Sequence, residues 1–240
     1  MTIRRVHLPP ERIQPGRGRL TTEARHYLAD VLRLGPGAPV EVFDGAGGRY
    51  AGRLEDGLDT VALGPREDAR AATPEIALLF ALSKGEKVDL VVQKATELGV
   101  ARLVPFAAAR SVVRLEGAKG EERARRWRKI AEEAARQCGR SDVPAVAAPG
   151  PLDAALAALP AGTATFVFQP GGAPLSHAEE GDARGFAAVV GPEGGLSEDE
   201  LEACLRAGAI PTSLGPRVLR AETAAMVAVA ILQLRFGDLS

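Results

Sequence analysis

At 240 residues the chain is long enough for one large domain or two modest ones, each with its own core. Apolar residues make up 46% and charged residues 25%, which excludes disorder, and a formal net charge of −1 excludes a molecule that is basic as a whole; any nucleic-acid surface has to be local. The longest apolar run, Ala224–Leu232, is too short to cross a bilayer, no signal-peptide pattern follows Met1, and Cys138 and Cys204 lack metal-ligand spacing, so a cytoplasmic protein with no membrane partner, metal or disulfide is expected.

In chain order, Arg4 to about Leu63 carries short signals: RRVHLP, a helical TEARHYLADVLRL, two apolar runs around Asp44-Gly45-Ala46-Gly47-Gly48, and LDTVALG. The glycine-rich turn between apolar runs spells a hairpin, and the whole predicts a small β-barrel with one helix. Residues 65–75, PREDARAATPE, are polar and bracketed by prolines, which suits a linker. Beyond it, strand-like runs at 75–82, 101–107, 163–169, 186–191 and 210–215 alternate with helical stretches at 86–98, 121–138, 152–159, 197–207 and 222–234. Val88, Val91, Val92 and Ala95 share one helix face, and the alternation predicts a mostly parallel sheet with helices on both faces. Ligands of such sheets bind beyond the carboxyl ends of the strands, here Gln169, Gly191–Gly195 and Leu214-Gly215.

The window Lys119–Arg140 holds eight Lys or Arg against four Glu, together with the only tryptophan. It fits a nucleic-acid contact or a solvated helix face with ion pairs such as Glu122 with Arg126. From Ala187, AAVVGPEGGLSEDELEACL reads as an apolar strand, a glycine-rich turn and an acidic helix start. It has neither the G-x-G-x-x-G spacing nor the lysine of a phosphate-binding loop, and Ser197 with Glu200 forms a capping box that fills the first free donors. Glu193, Glu198, Asp199 and Glu200 add negative charge, which disfavours pyrophosphate and admits a neutral or cationic ligand. Gly191, Gly194 and Gly195 let the main chain lie against a flat adenosine-like group; a tight turn with nothing bound is the alternative. From Ser213, SLGPRVLRAETAAMVAVAILQL runs through an irregular loop into a helix apolar almost all round, hence buried in the domain or against another subunit, and Arg217 and Arg220 are expected to have partners in the loop.

VVGPEGGLSEDELE followed by SLGPRVLRAETA strongly resembles the SPOUT-class RNA methyltransferases and, within them, the bacterial 16S ribosomal RNA uridine-N3 methyltransferases, the RsmE family. The similarity runs almost the whole length. HYLADVLRLGPGAPVEVFDGAGG looks like that family's PUA-like domain, KGEKVDLVVQKATELGV its first catalytic-domain helix, and RSVVR with RWRKIAEEAARQCGRSDVP its dimer-proximal and RNA-facing segments.

The resemblance implies a PUA-like β-barrel RNA-binding domain over 1–70 and an α/β SPOUT domain over 74–240, whose knotted parallel sheet binds S-adenosylmethionine within a homodimer. The pocket it implies comprises Phe168, Gln169, Gly191, Pro192, Glu193, Gly194 and Gly195, then Leu214, Gly215, Leu219, Arg220, Glu222 and Thr223. The implied reaction is methylation of N3 of one uridine in the 16S rRNA of the small ribosomal subunit. Arg220 would stabilise negative charge on the uracil and Glu222 would position it, with no histidine in these motifs to act as base. RNA contacts are expected from Arg4, Arg5, Arg33, Lys84, Lys87, Arg110, Arg114, Arg126 and Arg140, although RRVHL departs from the arginine-plus-aromatics pattern of the family. The competing readings are a SPOUT methyltransferase acting on tRNA or a ribose 2′-hydroxyl, and a non-catalytic RNA-binding module.

Overall fold

The computed structural model describes residues 3–68, 74–111, 113, 117–175 and 182–239; Arg114 and His177 lie outside the described residues. The chain forms two units, Met1–Ala71 with Glu132–Val143, and Ala72–Ala131 with Pro144–Ser240. The sequence places a boundary near residue 70, and Glu132–Val143 joins the first unit through non-local bonds. Gly47 N–H donates to the Ser141 carbonyl at 3.1 Å, Val143 N–H to the Gly45 carbonyl at 2.9 Å, and the Arg5 guanidinium to the carbonyls of Ala135 and Arg136.

In the first unit, strands β1 (Arg4–His7), β2 (Ile13–Gln14), β3 (Arg17–Arg19), β4 (Pro39–Phe43), β5 (Gly48–Leu54), β6 (Thr60–Leu63) and β7 (Glu67–Asp68) form one sheet in the order β1-β4-β5-β6-β3-β2, with β7 beside β5. The β4–β5 hairpin is the one that the glycine-rich turn spells. Alternate residues, among them Val6, Leu8, Val40, Val42, Leu54 and Val61, meet in one core. Two expectations change here. The linker segment contributes β7, because Glu67 lies opposite Arg49 on β5 and pairs with it at 3.0 Å. The helix expected over 22–34 is one α-turn, α1 (Thr22–Arg25), that widens into a π-turn over His26–Val31 and stops where Arg33 takes a left-handed φ of 53°.

In the second unit the order is β8 (Glu75–Ala81), α2 (Lys87–Glu97), β9 (Arg102–Ala107), α3 (Gly117–Cys138, whose end from Glu132 belongs to the first unit), β10 (Ala145–Val146), β11 (Gly150–Pro151), α4 (Leu152–Ala157), β12 (Thr163–Pro174), β13 (Gly185–Val190), α5 (Glu198–Arg206), β14 (Ile210–Ser213) and α6 (Ala221–Phe236). All ladders are parallel, in the order β10-β9-β8-β13-β12-β14 with β11 beside β9. β13 comes late in the chain yet lies between β8 and β12, and it is buried at every position. Its neighbours therefore bring three sequence-distant strand ends, those of β12, β13 and β14, side by side.

Helices cover both faces of this sheet, as the alternation predicts. Leu79, Val167, Val189 and Cys204 pack on one side with α4 and α5. On the other, Phe236 of α6 stacks on Phe186 with ring centroids 3.9 Å apart. Within α6, Ala225, Ala228, Val229, Leu232 and Phe236 form the buried stripe, whereas Met226, Val227 and Ala230 are half-buried and Leu234 is 63% exposed. Among the described residues no helix is long and apolar enough to cross a membrane, and no group of three or more His, Cys, Asp or Glu could hold a metal ion.

Candidate cofactor cleft and nucleic-acid surface

Beyond the carboxyl ends of β12, β13 and β14 lies a cleft of about 360 Å³. Each wall has a local cause. β12 loses register with β14 between Phe168 and Ala173, so the chain from Gln169 bulges into one wall. After β13 the turn Gly191–Leu196 reverses the chain. Gly195 takes φ 72°, its N–H donates to the Pro192 carbonyl at 2.8 Å, and a Cβ on Gly191 would come within 3.0–3.1 Å of Leu196. After β14, Ser213–Gly215 and Arg217–Leu219 close the third side, with Ala221 and Ala224 of α6 behind.

The glycine turn is held at three points of its own unit. Ser197 caps α5 in a complete capping box: Glu200 N–H donates to Ser197 Oγ, and Ser197 N–H to Glu200 Oε2 at 2.8 Å. Glu200 Oε1 also accepts Ala109 N–H at 2.7 Å. Arg110 donates to the Gly194 carbonyl at 2.9 Å, and Lys87 donates to Glu193 Oε1 at 2.6 Å. The hydrogen bond to Glu193 raises the Lys87 ammonium above its ordinary pKa, and the same bond holds Glu193 below the usual carboxylate range. Much of the acidity expected of this turn is therefore already matched: Glu193 faces a lysine and Glu200 is filled by two backbone donors.

The structure brings Phe168, Gln169, Gly191, Pro192, Glu193, Gly194, Gly195, Leu214, Gly215 and Leu219 together around the cleft. Arg220, Glu222 and Thr223 do not line it. α6 begins at Ala221, and the helical step that presents Ala221 and Ala224 to the cleft turns residues 222 and 223 away. Glu222, expected to position Arg220, pairs instead with Lys87 at 3.4 Å and has a side chain only 11% exposed. Arg217 and Arg220, expected to be partnered, are exposed and make no ion pair among the described residues; the loop faces solvent, with Val218 85% exposed. Pro170, Val190, Leu196, Ser213, Ala221 and Ala224 line the cleft without having been singled out. The signal available for them was position alone, at strand ends and at an i,i+3 spacing.

The residues expected to meet RNA divide by what already holds them. In the first unit Arg5 bonds Glu41 and Ser141 as well as the two carbonyls above, stacks over Phe43 at 4.8 Å and is 16% exposed, so it is not available for phosphate. Arg140 pairs with Asp142 at 2.7 Å and is 13% exposed; Arg4 and Arg33 are exposed. In the second unit Lys87 is occupied as described, and Lys84 is exposed. Arg126 pairs with Asp89 rather than Glu122, and Trp127, 2% exposed, donates to the same Asp89 at 3.0 Å. The tryptophan is thus core, not a stacking platform. Lys119, Arg123, Arg125 and Lys129 of α3 are exposed and free of ion pairs among the described residues, a basic face inside the window Lys119–Arg140, of which only Arg126 and Arg140 were expected as individual RNA contacts.

Residues 71–233 match the RNA methyltransferase domain family and residues 20–62 the RNA methyltransferase PUA domain family. The ribosomal RNA small subunit methyltransferase E of Bacillus subtilis is 30% identical over 230 residues, covering 89% of this chain and 88% of that protein. The crystal structure of a ribosomal RNA small subunit methyltransferase E from Neisseria gonorrhoeae bound to S-adenosyl methionine is 30% identical with a TM-score of 0.88 over 100% of both chains. A Legionella pneumophila methyltransferase in complex with the bound cofactor SAM is 31% identical over 98% of both, also with a TM-score of 0.88. With its PUA-type and methyltransferase domains both matched and full-length relatives at this identity, the chain belongs to the ribosomal RNA small subunit methyltransferase E family.

Proposed function

We propose that this chain transfers the methyl group of S-adenosylmethionine to N3 of a uridine in the 16S rRNA of the small ribosomal subunit. The observation that carries this reading is the cleft: glycine-walled, at the carboxyl ends of three adjacent parallel strands, without a phosphate-loop lysine, and beside two arginines that pair with no described residue. These residues suit a ligand that has an adenosine and no phosphate. The main chain of Gly191–Gly195 and of Leu214-Gly215 would hold the adenine and ribose, with Phe168, Gln169 and Leu219 against them. When bound, the cofactor supplies an electrophilic methyl group on a sulfonium.

Arg220 is the residue we assign to the base. It stands at the N-cap of α6, and its guanidinium is free to approach uracil O2 or O4 and stabilise the negative charge that grows as N3 loses its proton. Arg220→Ala should lower kcat for methyl transfer by about a hundredfold or more; wild-type kcat would remove it from the reaction. The phosphate contacts we assign to Lys119, Arg123, Arg125 and Lys129, together with Arg4, Arg33 and Lys84. The half-buried apolar side of α6, with Leu234 63% exposed on the same helix, supports a homodimer, and the non-sequential strand order is compatible with the knot that the family resemblance implies. With an rRNA substrate, we assign the reaction to the cytoplasm, and the wide spread of the basic residues favours an assembled small subunit over a short oligonucleotide.

The test is methyl transfer from labelled S-adenosylmethionine to small ribosomal subunits lacking their own rRNA methylation, followed by mass spectrometry of the digested nucleosides. 3-Methyluridine is expected. A 2′-O-methylated nucleoside, or no transfer to subunits that a known enzyme of the family methylates, would overturn the assignment.

A further inference from the structure

Lys87 is the first residue of α2, where the helix dipole disfavours a cation. Two carboxylates from elsewhere in the second unit meet it there: Glu193 Oε1 of the glycine turn at 2.6 Å and Glu222 Oε2, in the first turn of α6, at 3.4 Å. The two are unequal. Glu193 is 48% exposed and takes an aligned hydrogen bond, whereas Glu222 is 11% exposed and its Oε2 is buried with no hydrogen-bond partner among the described residues. A buried carboxylate oxygen in this position depends on the ammonium for its compensation. Glu193 itself lines the cleft, and Ala221 and Ala224, which flank Glu222, line it from the other side. One ammonium thus ties together two walls that are 29 positions apart in sequence and belong to different elements.

We infer that Lys87 is a positioning residue of the S-adenosylmethionine site, clamping the glycine turn to the start of α6, and not the phosphate contact that its charge suggests in the sequence. The inference rests on the function proposed above. Removing the ammonium leaves two carboxylate oxygens, both within 3.4 Å of one point, facing each other without a counter-charge. Glu222 is largely out of reach of water, so relief comes from a shift of the turn or of the first turn of α6, and either shift parts the walls of the cleft.

The experiment uses the full chain as wild type, K87M, K87R, E193Q and the double variant K87M/E193Q. Each is titrated calorimetrically with S-adenosylmethionine, assayed for methyl transfer to small subunits, and melted thermally. K87M should raise the Kd for S-adenosylmethionine about tenfold or more and leave the KM for subunits unchanged, and K87R should come back to within about threefold, since a guanidinium also reaches both carboxylates. In the E193Q background K87M should cost less than in the wild type, because one of the two repelling charges is already gone. K87M with wild-type Kd for S-adenosylmethionine and a raised KM for subunits would make Lys87 an RNA contact and overturn the inference. Equal losses in K87M and K87R, additive with E193Q, would also overturn it. A wild type that binds no S-adenosylmethionine would overturn the proposed function itself, whereas normal wild-type binding with an indifferent K87M would overturn the clamp alone.

Discussion

Replacing Glu200 by alanine removes two backbone-to-carboxylate hydrogen bonds at once, from Ser197 N–H at 2.8 Å and from Ala109 N–H at 2.7 Å, and leaves Ser197 Oγ to cap α5 alone. The half-lost cap costs about 1 kcal/mol. A charge-assisted bond is worth about 1.5–3 kcal/mol, reduced here to about 1 kcal/mol because Ala109 is exposed and its N–H can turn to water. The total of about 2 kcal/mol predicts a melting temperature lower by about 4–8 °C for a unit of this size. The glycine turn also loses one of its three ties, so affinity for S-adenosylmethionine should fall by about threefold to tenfold. Differential scanning calorimetry reads the first quantity and calorimetric titration the second. Ser197→Ala is the matched comparison: it breaks only the Glu200 N–H bond and should cost about half as much. If Glu200→Ala melted within 1 °C of the wild type, or lost no more than Ser197→Ala, the view that one carboxylate both caps α5 and tethers the turn would be refuted.

Phe236→Ala should destabilise the second unit by about 3–5 kcal/mol in denaturant titrations, since the ring is 8% exposed and stacked on Phe186. Cys138 is exposed and should react with a thiol reagent in the native protein, whereas Cys204 should react only after unfolding. Burial, with Glu200 and Asp153 adding to it, pushes the Cys204 thiol from its ordinary 9.0 up to about 11. The folded chain therefore keeps this proton to higher pH than the unfolded one, and stability should fall as pH rises from about 9 to about 11, a component that Cys204→Ala removes from urea titrations at successive pH values. Binding to small subunits should weaken with salt, and replacing Arg123 or Lys129 by Gln should reduce the slope of log K against log salt by about 1 each, with Arg140→Gln as a control of unchanged slope.

Local rules carried far along this sequence. The β4–β5 hairpin follows from its glycine turn, the capping box from serine and glutamate three residues apart, and the parallel sheet from strands alternating with amphipathic helices. All of these depend on neighbours within a few residues, and so does the glycine turn that the cleft uses. The two-residue strands β10 and β11 escaped because two residues have no period to read; their partners on β9 make them strands. The same limit governs the charges. Arg126 ignored Glu122 on its own helix for Asp89, 37 positions away, and Glu222 turned from Arg220, the next residue but one, to Lys87, because a side chain's partner is set by which elements pack together. Composition, periodicity and local motifs thus determined most of the elements, the class of fold and the capping box that holds the glycine turn. The tertiary structure alone decided that β13 lies between β8 and β12, that three distant strand ends enclose one cleft, and which cations have no ion pair among the described residues, since those outcomes depend on strand order and on charge pairing between residues that the linear sequence keeps apart.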